Sequence, residues 1–76
     1  MTVLEWMEIF GDNLKEMLEY ANMTQRELAD AAGLSESSVS DYINKRKLPG
    51  IKAIINIGYA LDCDFNDLID FGEHIE

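Results

Sequence analysis

A chain of 76 residues is one small domain or part of one, and a domain of that size buries only ~60% of the surface its unfolded chain exposes. Hydrophobic residues make up 47% and charged residues 28%, the balance of a globular rather than a disordered chain. No apolar run approaches the ~18 residues of a membrane span, and the start, Met1-Thr2-Val3-Leu4-Glu5-Trp6, lacks the basic flank of a secretory signal. Cys63 alone forms no internal disulfide, which fits a reducing, cytoplasmic setting. With His74 the only histidine, a zinc site lacks its four ligands, and no Ser has a histidine close in sequence. Neither an enzyme nor a cofactor is expected.

The net charge of −9 repels nucleic acid on average, but the signs are segregated. Residues 1–44 carry −7, residues 45–61 carry +4 without a single acid, and residues 62–76 carry −6. Four of the six basic residues, Lys45, Arg46, Lys47 and Lys52, fall within eight positions.

Apolar spacing in threes and fours predicts five short helices and no strand. The first covers residues 3–21, with Val3, Met7, Phe10, Leu14, Met17, Leu18 and Ala21 on its inward stripe. Thr2 and Glu5 form a capping box; Gly11 marks a weak point or a break. Trp6 and Ile9 fall off the stripe. Thr24 and Glu27 open a second helix with a capping box, and Met23 and Leu28 supply its hydrophobic staple. It turns Leu28, Ala29 and Ala32 inward and stops at Gly33. Ser35 caps the third, which packs through Val39, Tyr42 and Ile43 and ends among Asn44-Lys45-Arg46-Lys47. After Pro49-Gly50, Ile51, Ile54, Ile55, Gly58 and Leu61 give a fourth helix its inward face. Asp64 and Asp67 open a fifth, with Phe65, Leu68 and Ile69 apolar. The aspartates at 62, 64, 67 and 70 lack the Gly and terminal Glu of a calcium loop, so they read as caps and solubility. Cys63 reads as a small buried filler.

Two capped helices joined by a tight Gly turn, Thr24–Ala32 and Ser35–Asn44, are the signature of a helix-turn-helix. Ala29 is small enough for a close crossing, and Val39 and Tyr42 hold the second helix so that its N-terminal side projects. The stretch from Met23 to Ser35, with Val39-Ser40-Asp41-Tyr42-Ile43-Asn44, Leu48-Pro49, Ile57–Leu61 and Phe65–Ile69, resembles the phage-repressor and Cro-like (XRE-type) family over roughly residues 10–70. That resemblance implies an all-α, compact five-helix bundle of the lambda-repressor-like kind, with residues 10–76 as the DNA-binding domain and residues 1–9 as an N-terminal helical extension of it. It further implies sequence-specific binding of a double-stranded operator, in a repressor-like transcriptional regulator whose third helix enters the major groove.

Carried over by residue, Glu36, Ser37, Ser40 and Asp41 face base edges, while Gln25, Ser38, Asn44, Lys45, Arg46, Lys47 and Lys52 meet phosphate. Three features depart from the family pattern. Lys45 stands where Gly is frequent, Gly50 where a Ser or Thr cap is usual, and the recognition helix has Glu36 and Asp41 but no Arg. The charge deficit implies a homodimer, weak off DNA, for which Trp6, Ile9, Phe71 and Ile75 are the apolar candidates. No membrane or small-molecule partner is expected. The competing reading is an acidic helical protein-interaction module, such as an antitoxin or antirepressor. A basic cluster sharing one surface with the Ser-rich face of the third helix, with the acids on the opposite side, favours DNA; an acidic recognition face throughout favours the protein partner.

Overall fold

The computed structural model describes residues 2–63, and within them every regular element is helical. Four helices follow one another: α1 Val3–Ala21, α2 Gln25–Ala32, α3 Glu36–Ile43 and α4 Ile51–Leu61. The expected fifth helix lies outside the described residues, as do Phe71, His74 and Ile75.

Local chemistry sets each boundary. At α1 the Thr2 hydroxyl accepts from Glu5 N at 3.1 Å while Thr2 N donates to the Glu5 carboxylate at 3.1 Å. Thr24 and Glu27 repeat the arrangement at α2, at 3.1 and 2.9 Å. Ser35 Oγ accepts from Ser38 N at α3, whereas Gly50 starts α4 with no side-chain cap. The far ends are built alike. A left-handed residue follows each helix, namely Asn22, Gly33, Lys45 and Asp62. The amide of the next residue then reaches back five positions: Met23 to Leu18, Leu34 to Ala29, Arg46 to Asp41 and Cys63 to Gly58, all at 2.8–2.9 Å. These are Schellman closures, which satisfy carbonyls the helix leaves open.

Hydrogen bonds from the backbone and hydroxyl of Thr24 hold the Glu27 carboxyl below the usual glutamate range, and Thr2 does the same for Glu5. A group whose pKa is depressed by folding stabilises the fold above its unfolded value, and that contribution is lost as pH falls through the folded one. Glu27→Gln should therefore lower the melting temperature near neutrality and shrink the difference from the parent chain below pH ~4. Parallel melting curves across pH 3–7 would refute this.

The core draws on all four helices: Phe10, Leu14 and Leu18; Leu28, Ala29 and Ala32; Val39 and Tyr42; Ala53, Ile54 and Ile57. α2 packs on both α3 and α4, and α1 closes against α3. Four expectations need correction. Val3 and Ala21 are exposed, because the core under α1 reaches no farther than Trp6 and Leu18. α4 is apolar nearly all round and turns Ala53, Ile54, Ile57 and Gly58 inward, leaving Ile51 and Ile55 exposed. Trp6, expected off the inward stripe, packs partly buried against the core, its ring stacked on Phe10 at 5.3 Å and 5°. Cys63 is half-buried rather than buried, its Sγ 4.0 Å from Met17 Sδ.

Gly11 does not break α1; it is buried inside a continuous helix. A Cβ there would lie 2.9 Å from Tyr42 O, 3.1 Å from Ile43 O and 3.1 Å from Lys45 Cγ. Glycine is what lets α1 meet the C-terminal end of α3 backbone to backbone.

Candidate nucleic-acid interface

The α2–α3 pair has the geometry its sequence demands. Gly33 takes φ 68° and ψ 32°, and Ala29, 2% exposed, is part of the core that α2 shares with its neighbours. Val39 and Tyr42 anchor α3 to the core at 0% and 5% exposure. Glu36 and Ser37 are exposed at its start, and Ser38, Ser40 and Asp41 are half-buried along its flank. Ser35 Oγ donates to Ser38 Oγ at 3.0 Å, tying that hydroxyl into the cap.

The turn after α3 is bonded back onto the same flank. Asn44 Nδ2 donates to Ser40 O at 2.9 Å and to Ser40 Oγ at 3.2 Å. Arg46 Nε donates to Asp41 Oδ1 at 3.2 Å. Ser40 and Asp41, expected to face bases, and Asn44 and Arg46, expected to face phosphate, therefore form one contiguous surface. That pairing offsets the Asp41 charge locally and leaves Glu36 as the acid with no such partner on α3. A guanidinium has five N–H donors, so the bond to Asp41 does not exhaust Arg46.

The remaining cations are divided. Lys47 and Lys52 are exposed, on the turn and in the first turn of α4. Lys45 instead turns toward α1, with Nζ 2.8 Å from Asp12 Oδ1. Asp12 was not a candidate from the sequence; the partners are 33 residues apart, and no local pattern joins them. Gln25 is half-buried at the start of α2. Among the described residues no group of His, Cys, Asp and Glu is placed to hold a metal, and no helix is long and apolar enough to cross a membrane.

A tight helix pair with its second helix anchored on one side and presented on the other defines a helix-turn-helix domain. The sequence profile of the Cro/C1-type HTH DNA-binding domain matches residues 13–73, and the chain belongs to that family. Solved structures agree on the fold. The restriction-modification controller protein C.AhdI from Aeromonas hydrophila is 26% identical, with a TM-score of 0.80 over 82% of this chain and 94% of its own. The clp gene regulator ClgR from C. glutamicum gives a TM-score of 0.83 at 23% identity, over 99% of this chain and 95% of its own. An HTH_3 family transcriptional regulator from Vibrio cholerae gives 0.89 at 15% identity, over 97% of this chain and 42% of its own. No curated protein sequence matches the chain.

Proposed function

We propose that the chain is a repressor-like transcriptional regulator that reads a palindromic DNA operator as a symmetric dimer, with α3 in the major groove. The observation that carries this reading is the single surface made by the exposed start of α3, its Ser40–Asp41 flank and the basic turn bonded to both. Glu36, Ser37, Ser40 and Asp41 read base edges, where a carboxylate can accept from cytosine N4 and a hydroxyl can bond several bases. Gln25, Ser38, Asn44, Arg46, Lys47 and Lys52 supply backbone contacts. Likeness to a restriction-modification controller at 26% identity supports a controlling role of this kind. One recognition helix spans few base pairs, so two copies on half-sites about 34 Å apart supply the affinity that a −9 chain lacks.

Electrophoretic shifts over a salt series, against DNA selected from a genomic library, test the reading. Arg46→Ala with Lys47→Ala should weaken binding to every sequence alike and reduce the salt slope by about 1–2 per protomer. Ser37→Ala should lose about 1–3 kcal/mol on the selected site and little on random DNA. Unchanged binding by the first variant, or unchanged site preference in the second, would rule out this face as the reader.

A further inference from the structure

Four residues follow the helix ends in the left-handed region, and one of them is out of place. Gly33 has no Cβ, and Asn22 and Asp62 are of the residue types that tolerate that region; Lys45, at φ 63°, is neither. Strain of this sort persists only where its surroundings hold it. Here three observations converge on the same backbone. The closure of α3 bonds Lys45 N to Tyr42 O at 3.2 Å and Arg46 N to Asp41 O at 2.8 Å. Gly11 lets α1 come so close that an added Cβ would be 3.1 Å from Lys45 Cγ. Asp12, the next residue of α1, takes Lys45 Nζ at 2.8 Å.

Asp12 lies in the middle of an exposed acidic row along α1, Glu5, Glu8, Asp12, Glu16 and Glu19, spaced three and four apart. The row meets the basic turn at Asp12, and Glu8 adds to the field at Lys45. The hydrogen bond to Asp12 holds the Lys45 ammonium above its usual pKa.

We propose that Asp12 limits DNA binding by drawing Lys45 away from phosphate, leaving Arg46 and Lys47 as the contacts this turn makes with the DNA backbone. The inference rests on the DNA-binding reading above. Lys45 is then held on α1 rather than spent on phosphate, and α1 limits how much of the basic cluster reaches the duplex. An exposed pair is individually weak. Its influence comes from where it sends one of only four clustered cations.

The test is the salt dependence of duplex binding by the full chain and three variants, with folding checked by circular dichroism. Asp12→Asn should free Lys45, raising affinity for all sequences and steepening the slope by about 0.9 per protomer, a factor of about 3 to 4 over a fourfold change in salt. Lys45→Gly keeps the left-handed turn and should leave the slope unchanged. Glu16→Gln removes the same charge from α1 without touching the turn and should leave the slope unchanged too. A Lys45→Gly slope reduced by about 0.9 would show Lys45 on phosphate and overturn the proposal. So would an Asp12→Asn slope equal to that of the parent chain while that chain binds DNA normally. Failure of the parent chain to bind any duplex would overturn the DNA reading and this inference together.

Discussion

Phe10→Ala is expected to remove about 3–5 kcal/mol of stability, the largest loss from any single substitution in the described helices. Phe10 is 1% exposed and is the ring at which α1 meets α3. Trp6 stacks on it at 5.3 Å, and Tyr42 meets it edge-on, centroids 6.4 Å apart and planes at 81°. Each such aromatic pair adds about 0.5–1.5 kcal/mol beyond the area it buries. A chain of 76 residues has a total stability on the order of 4–11 kcal/mol, so the substitution removes roughly a quarter of it or more. Tyr42 also holds α3 down, so the variant should lose DNA affinity beyond what its unfolded fraction explains. Urea melts followed by circular dichroism give the number, with Tyr20→Ala as the control. Tyr20 is 95% exposed and should shift stability by no more than about 0.5 kcal/mol. A Phe10→Ala loss under about 1 kcal/mol would show that the aromatic cluster is not the joint between α1 and α3.

Helix starts and stops were legible because they are written in neighbouring residues. Thr24 with Glu27, Ser35, and Gly33 each act on backbone groups within four positions, and the observed caps match them. Lys45 in place of glycine was legible as a departure from the family pattern, and its φ of 63° bears the departure out. What failed needed information from elsewhere in the fold. Periodicity alone could not orient α4, because Ile51-Lys52-Ala53-Ile54-Ile55 offers two apolar faces and packing against α2 and α1 chooses between them. Gly11 was ambiguous between a break and a close approach until the carbonyls of Tyr42 and Ile43 were found above it. At the DNA face the residue types were readable, but their pairing was not. Asp12–Lys45 crosses from α1 to the turn, and Asp41–Arg46 forms only once the end of α3 has closed on itself.

Ile55→Gln with Tyr59→Gln is expected to abolish paired binding to a two-half-site operator, lowering affinity on the order of 10²-fold, about 2.7 kcal/mol. Affinity for a single half-site should stay within about twofold of the parent chain. The premise is the surface α4 leaves open. Ile51, Ile55 and Tyr59 are 66%, 47% and 82% exposed, and their spacing of four aligns them in a row about 12 Å long. Lys52 is the only charge between Ile51 and Leu61. Among the described residues no carboxylate lies within this row, so two copies of a −9 chain can meet along it, whereas the acidic row of α1 would repel its own copy. Trp6 stacks on Phe10 and Ile9 is half-buried, so these two side chains offer less apolar surface to a second copy than the α4 row does. Exposed apolar rows of this kind mark contact surfaces, and partial burial of an Ile and a Tyr from each copy is enough for the stated effect, at about 1.5–3 kcal/mol per fully buried side chain. Glutamine leaves the net charge at −9 and suits a helix, so neither repulsion from DNA nor loss of α4 would account for the change. Sedimentation velocity with one-half-site and two-half-site duplexes measures both quantities. Paired binding that survives the double substitution would move the dimer contact off α4, and a single copy of the parent chain on a palindromic duplex would remove the dimer itself.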